Sequence, residues 1–367
     1  MNLSVQLQLK PDSSQAKVLQ QTLQRANEAA NFVSSVAWEH NIFGQFHLHK
    51  LVYSDLRSRF SLPAQIAVRV IAKVADAYKL DKSKERTFKT YGALAYDARN
   101  FSLFVDKGLT SLSTLEGRVK VPFICGDRQR DLLQHQFGEA DLVYRKRKWY
   151  LFVTVNVEEP PPELFNEALG VDLGIANIAT DSDGECYSGD TLTKARQRYS
   201  KLRQALQTRG TPSAKRHLQR LSCREKDFAK TLNHTIAKRI VHKAQGTSRR
   251  IALEDLSGIR KATVRKAQRY LHNSWSFFQL RSFISYKAVL AGVPVVGVDP
   301  KHTSQTCPVC GLVDRRNRRN QSAFLCVGCG YAGHADHVAA INISRRAVVN
   351  QPIVGNCVGV SHGLPAS

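Results

Sequence analysis

The hydrophobic pattern changes period twice in the first 160 residues. Residues 3–9, Leu-Ser-Val-Gln-Leu-Gln-Leu, alternate apolar and polar, the period of a strand with one buried face. Asp12-Ser13-Ser14-Gln15 then has the form of a capping box. Leu19, Leu23, Ala26, Ala30, Val33 and Ala37 follow at spacings of four and three, which predicts a long helix. A second helix is predicted from near Pro63 through Val70, Val74 and Ala77 to Leu80, with Lys79, Lys82, Lys84, Arg86 and Lys89 as a basic patch at and beyond its end. From about residue 100 the period returns to two. Strands are predicted over 101–105, 118–124, 140–145 and 149–157, with Arg145-Lys146-Arg147-Lys148 at a hairpin tip. Together with residues 3–9 they predict a small β-barrel interrupted by a helical insert. Glu158-Glu159-Pro160-Pro161-Pro162 reads as a stiff linker and a domain boundary.

Beyond the linker, 169–180 reads as one buried strand and Asp181-Ser182-Asp183-Gly184 as a turn into a second strand at 185–188. Residues 194–250 read as helical and 249–256 as a further strand. A helix over 275–291 carries Phe277, Leu280, Ile284 and Ala288 on one face and stops at Gly292, and 293–298 forms the next strand. A last helix follows Asp336. Residues 349–367 lack periodicity and predict a mobile tail.

With 367 residues, 43% of them hydrophobic, the chain is long enough for two or three domains with real cores. Its formal net charge of +24 points to a polyanionic partner. No apolar run reaches membrane-spanning length and no signal-peptide layout is present, which favours nucleic acid over membrane and a cytoplasmic, nucleoid-associated location in a prokaryote. The charge is uneven: residues 194–250 hold 17 Lys or Arg against two acids, Glu225 and Asp227. Lys215, Arg216 and Arg220 are the candidate nucleic-acid contacts of that stretch. A solvated basic face is the plain alternative and accounts poorly for so skewed a balance.

Of the eight cysteines, Cys125, Cys186, Cys223 and Cys357 are scattered and read as free thiols. The other four form two pairs, Cys307-Pro308-Val309-Cys310 and Cys326-Val327-Gly328-Cys329, separated by 15 residues. Two such knuckles supply four thiolates for one tetrahedral Zn²⁺ and leave no position open for substrate, so the zinc would be structural. Arg315, Arg316, Arg318 and Arg319 lie on the intervening loop. They suit phosphate contacts better than a merely solvated tip.

Three carboxylates stand beside or within apolar runs: Asp172 in Leu169–Gly174, Glu254 at the end of 251–254, and Asp336 at the start of the last helix. Singly, each has an ordinary reading: a turn cap, an ion pair with Arg249, and a helix N-terminal acid. As a set, in the order strand Asp, strand Glu, helix Asp, they match the ribonuclease H-like nucleases. There, three acids hold two Mg²⁺ ions that drive phosphodiester hydrolysis. Asp172 would bridge the two ions, with Glu254 and Asp336 each completing one site. Asp181, Asp183, Asp255 and Asp299 stay outside this set.

Gly170-Val171-Asp172-Leu173-Gly174, Leu253-Glu254-Asp255-Leu256, the run from Thr303 through Gly311, and Cys329-Gly330-Tyr331 through Asp336 to Ile343 resemble the TnpB family. These are insertion-sequence proteins, long described as transposases and related to compact type V CRISPR effectors. The resemblance is strong over about 165–345 and softer before it. It implies a multidomain α/β fold: a wedge-like β-barrel over 1–10 and 96–160, a helical recognition insert over 11–95, a RuvC-like nuclease domain over 165–300 and 334–348, and a zinc-ribbon insert over 301–333. It implies an RNA-guided, Mg²⁺-dependent DNA endonuclease with Asp172, Glu254 and Asp336 as catalytic acids, a noncoding guide RNA and a double-stranded DNA target. The alternatives are a guided DNA-binding repressor that no longer cuts and an unguided transposase or resolvase. One departure stands out: the family's Asn two residues after the last acid is Val338 here, and an amide lost at that point would weaken the hold on Asp336.

Overall fold

The computed structural model describes residues 1–135, 137–163, 165–174, 176–255 and 277–349. The chain divides into two compact units, Met1–Glu158 and Glu159–Ser367. Among the described residues no helix is long and apolar enough to cross a membrane.

The first unit contains β1 (Asn2–Leu9), α1 (Ser13–Glu39), α2 (Gln45–Ser58), α3 (Ala64–Leu80), β2 (Leu94–Tyr96), β3 (Phe101–Phe104), β4 (Leu109–Thr114), β5 (Gly117–Ile124), α4 (Asp127–Leu132), β6 (Phe137–Arg145) and β7 (Lys148–Asn156). The strands form one antiparallel sheet in the order β2-β6-β7-β1-β5-β4-β3. It curls until it is nearly a closed barrel, and the Tyr96 hydroxyl on β2 donates to the Ser113 carbonyl on β4 at 2.9 Å. The predicted hairpin tip is real: Lys146 and Arg147 both take positive φ, as a two-residue turn between twisted strands requires. The predicted capping box also forms, with the Asp12 carboxylate accepting from the Gln15 amide at 2.8 Å.

Three readings of this unit change. The second helix buries Ile66, Ala67, Val70, Ile71, Val74, Ala75 and Tyr78, and Leu80 points out, 89% exposed. Helix α2 escaped the pattern because its segment is rich in histidine, although Leu48, Val52 and Leu56 bury one face at a spacing of four. Strand β4 escaped it because Thr110, Ser111 and Thr114 fill buried positions. Their cost is met locally, as when the Thr114 hydroxyl donates to the Gly117 carbonyl at 2.7 Å.

The second unit contains β8 (Glu167–Asp172), β9 (Asn177–Asp181), β10 (Cys186–Ser188), α5 (Asp190–Arg209), α6 (Pro212–Gly246), β11 (Arg249–Glu254), α7 (Phe277–Leu290), β12 (Val295–Val298), β13 (Ala323–Leu325), β14 (Ala332–His334) and α8 (Ala335–Val349). The single strand predicted over 169–180 is two strands, β8 and β9, paired antiparallel. The chain reverses at Gly174, where a Cβ would come within 2.6 Å of the Asn177 carbonyl oxygen. The five-stranded sheet runs β10-β9-β8-β11-β12, with β8, β11 and β12 parallel. Strand β11 ends at Glu254; Leu256, Trp275 and the predicted tail over 350–367 lie outside the described residues.

Alternation along β8 and β11 sorts their side chains. Leu169, Val171, Ile251 and Leu253 join the large core with Ile236, Ile240, Leu280 and Ile284 from α6 and α7. Ala168 and Ala252 face the other way and pack with Ile343 and Ala347 of α8. Only small residues stand under α8, so the helix lies close. At Gly170 a Cβ would sit 2.1 Å from the Ala340 carbonyl oxygen and 2.5 Å from the Ser344 nitrogen, both backbone atoms that cannot rotate away. The Ser344 hydroxyl donates to the Ala168 carbonyl at 2.6 Å and fixes the helix there.

Gly170→Ala is therefore expected to push α8 off the sheet, at a cost of about 3 kcal/mol, the upper range of overpacking. That corresponds to a fall of about 6–12 °C in the melting midpoint of a unit this size. Thermal denaturation followed by circular dichroism checks it, and a melting curve matching the wild type would show that α8 does not pack as described.

Candidate metal centres

The same alternation sets the acids. Positions 168, 170 and 172 share a face of β8, and 252 and 254 share a face of β11, so Asp172 and Glu254 project on the α8 side. The parallel register pairs Val171 with Leu253, which sets Asp172 beside Glu254 one position on, at the carboxyl ends of both strands. Asp336 lies in the first turn of α8, over those ends. Asp172 thus lies near enough to both other predicted acids to feel their charges.

The electrostatics follow. Burial, and then the charges of Glu254 and Asp336, push the Asp172 carboxyl up to about 8, with Arg318 acting in the opposite direction. Burial also raises Glu254, with a smaller push from the charge of Asp299, against the Thr303 hydroxyl and the charges of Arg346 and Arg318. Three further side chains reach these acids: Asn177 and Thr303, which are not among the predicted site residues, and Arg318, which is predicted as a phosphate contact. The Asn177 amide donates to Asp336 Oδ2 at 2.8 Å. The Thr303 hydroxyl donates to Glu254 Oε1 at 2.5 Å. The Arg318 guanidinium stands 3.8 Å from Asp336 Oδ1.

The acids set aside serve elsewhere. Buried Asp181 pairs with Lys243 at 2.5 Å, Asp183 takes Arg249 at 2.6 Å, and Asp255 takes Arg281 at 3.0 Å. Arg249 is thereby no partner for Glu254. Asp299 caps its own turn through the Lys301 amide at 2.9 Å.

The four paired cysteines come together, their sulfurs all within 4.8 Å of one another. Cys307 and Cys329 Sγ are 3.6 Å apart, Cys310 and Cys326 Sγ 3.5 Å. Four thiolates about one ion at the usual 2.3 Å would be separated by about 3.8 Å, so the group fits a single tetrahedrally held metal. The two knuckles repeat one geometry. The Cys307 amide donates to the Leu312 carbonyl and the Cys326 amide to the Tyr331 carbonyl, while Gly311 and Gly330 donate back to Cys307 and Cys326. Both glycines have positive φ, +74° and +75°. Buried Asn317 ties the knuckles together: its amide donates to the Leu312 carbonyl at 3.1 Å and its oxygen accepts from the Val327 amide at 2.9 Å.

Of the four loop arginines, Arg315, Arg316 and Arg319 are exposed, and Arg316 pairs with Asp314 at 2.7 Å. Arg318 does not point outward with them; it is half-buried and turned toward the acids. Lys215, Arg216 and Arg220 are exposed on α6. Val338 packs into the core of the cysteine module with Phe324, Cys307 and Cys326, away from the carboxylates. The amide that holds Asp336 comes from Asn177 instead, so the departure at 338 does not release this acid.

Without divalent cations, folded Asp172 titrates near 8 and unfolded Asp172 near 3.8. The folded state then binds the extra proton between those values, so stability present below about pH 4 is lost as pH rises through about 8. Asp172→Asn removes that loss. Its melting midpoint relative to wild type, measured in chelator, is expected to climb across this window; a pH-independent difference would contradict the described crowding of charge.

Comparison with known proteins agrees with this architecture. Residues 152–257 match the family model described as "Probable transposase" (OrfB_IS605), and residues 277–343 match the "Cas12f1-like, TNB domain" model. The CRISPR-associated endodeoxyribonuclease Cas12f1 of Sulfoacidibacillus thermotolerans is 32% identical over 232 residues, 58% of this chain and 54% of that one. A TnpB-like protein of Methanocaldococcus jannaschii is 28% identical over 199 residues, 51% of this chain and 71% of that one. The chain thus spans about half the length of the first relative. A Cas12f1 chain solved by cryo-EM in a complex with sgRNA and target DNA shares the fold, with a TM-score of 0.64 and 15% identity over 91% of this chain and 83% of that one. Two family models in this order on one chain, with TnpB-like and Cas12f1 relatives, show that its second unit resembles the TnpB and Cas12f1 proteins.

Proposed function

We propose that this protein is an RNA-guided DNA endonuclease of a transposable element, and that its second unit is a ribonuclease H-like, RuvC-type nuclease domain. The observation that carries the reading is the convergence of Asp172, Glu254 and Asp336 at the ends of two parallel strands and the start of α8. The sheet order, two antiparallel pairings followed by two parallel ones, supports it. The relatives named as endodeoxyribonucleases support the class of reaction.

The donor set fits a hard divalent cation. All three groups are carboxylates, and their crowding disfavours the ionised form of Asp172 until a cation offsets the charge. Asp172, Glu254 and Asp336 would together hold the Mg²⁺ ions. When bound, such ions supply a nucleophilic water and neutralise charge at the scissile phosphate. The protein's own part is to hold the acids and exclude competing partners. Arg318 offsets the carboxylates in the free protein, and its guanidinium would donate to a backbone phosphate oxygen of bound DNA.

The cysteine module would hold one structural Zn²⁺. Metal analysis is expected to give one zinc per chain, and Cys326→Ser to lose it together with the fold of the module; zinc retained in that variant would discount the tetrathiolate site.

The basic face of α5 and α6 would lie along the guide RNA and its DNA heteroduplex, base pairing supplying the sequence specificity. Arg315 and Arg319 would add phosphate contacts from the ribbon. Binding through such contacts weakens steeply with salt. RNA copurifying with protein expressed beside its native flanking DNA is expected to be one discrete species. With a matched target, Mg²⁺-dependent cutting is expected, and Asp172→Ala should reduce it to background while RNA binding is unchanged. Cutting by that variant at the wild-type rate would refute the site; random RNA would refute the guide.

A further inference from the structure

Two of the three acids have one oxygen already occupied by a neutral donor from a remote part of the chain. Asn177, on β9, gives its amide N–H to Asp336 Oδ2 at 2.8 Å across 159 positions of sequence. Thr303, in the loop after β12, gives its hydroxyl to Glu254 Oε1 at 2.5 Å across 49 positions. A hydroxyl has one proton, and the Thr303 oxygen also lies 3.0 Å from the Pro300 carbonyl. The shorter contact to a charged acceptor takes the proton.

Neither donor is free to wander. Thr303 is buried, 3% exposed, and its carbonyl accepts from the Asn342 amide at 2.8 Å. The same amide holds the Thr306 carbonyl at 2.8 Å, immediately before Cys307. Asn342 is itself buried in α8, two turns beyond Asp336. Asn177 is fixed through its backbone, paired with Ser188 of β10.

A carboxylate with one oxygen anchored has a fixed plane and presents the other oxygen in one direction. For Asp336 that remaining oxygen is Oδ1, the one near Arg318. We infer that Asn177 and Thr303 are positioning residues for the divalent-cation centre, each holding one oxygen of a carboxylate so that the other meets the cation. The inference rests on the reading of Asp172, Glu254 and Asp336 as that centre, and adds two residues that touch neither cation nor DNA. It also makes Thr303 the link by which α8 and the first cysteine knuckle set the orientation of Glu254.

The test is Mn²⁺ binding to the full-length, zinc-loaded protein, followed by the loss of the free-ion electron paramagnetic resonance signal. Thr303→Val keeps the shape and removes the donor; Thr303→Ser keeps the donor. Asn177→Leu keeps the shape and removes the amide. Loss of such outer hydrogen bonds typically weakens a metal by about 10–100-fold. The Mn²⁺ midpoint is expected to rise by that factor in Thr303→Val and in Asn177→Leu, with zinc content and melting unchanged, and to return near wild type in Thr303→Ser. Because the two residues sit on different elements, either folded variant suffices for the test. A wild-type midpoint in a folded Thr303→Val or Asn177→Leu protein, or a Thr303→Ser midpoint as weak as that of Thr303→Val, overturns the inference. Asp172→Ala separates the premise: if it alone loses Mn²⁺, the centre stands and only the positioning roles fall. If Asp172→Ala binds like wild type, the reading of the centre itself fails.

Discussion

The second unit depends on how near α8 comes to β8. Backbone meets backbone there, with no side chain between Gly170 and the turn at Ala340 and Ser344. Interiors transmit such constraints because they are close-packed and yield little. The contact sets the height of α8 above the sheet, and the Ser344 bond to Ala168 sets its slide. With both fixed, the first turn of the helix has one place to be, over the carboxyl ends of β8 and β11. The large residues on the opposite face bind the sheet to α6 and α7 and keep the strands in register under it.

That placement is electrostatically unfavourable, and the structure shows how the strain is distributed. Asp172 is half-buried at the end of its strand, where desolvation and then the charges of Glu254 and Asp336 raise its carboxyl to about 8. The flanking acids are treated differently. Asp336 and Glu254 each have a neutral donor, and Arg318 supplies a positive charge from the cysteine module. By contrast the nearby acids Asp181 and Asp183 are fully paired with Lys243 and Arg249. Two acidic groups in one unit thus have opposite characters: one is paired with Lys243 and Arg249, the other is left partly uncompensated at the carboxyl ends of β8 and β11.

Much of this was legible along the chain. An acid at the end of an apolar strand, as in 169–172 and 251–254, is visible in one dimension because strand alternation and burial are local. The cysteine knuckles are visible because metal spacing is local too. What alternation does not reveal is the neighbour across the sheet. That Asp172 stands beside Glu254 is a matter of register, and that Asn177 meets Asp336 is a matter of how β9 folds back under α8. The single strand expected over 169–180 hid that reversal, since Gly174 alone marks the turn. Thr303 and Arg318 carried no local signal: one looks like a loop hydroxyl, the other like its exposed neighbours. The helix α2 and strand β4 were missed for a simpler reason, namely that histidine, serine and threonine occupy positions where the pattern expects apolar side chains.

The cysteine module sits in the chain between β12 and α8, so the third carboxylate is delivered only after the module has formed. Arg345 of α8 donates to the Pro308 carbonyl, and Ala335 to that of Ser322, so helix and module are fastened at both ends. A module without its metal would leave a long, unconstrained connection to close, with the entropic cost that brings. Holding the two knuckles together shortens that connection, so the order of the cysteine module bears on how readily Asp336 reaches its place beside Asp172.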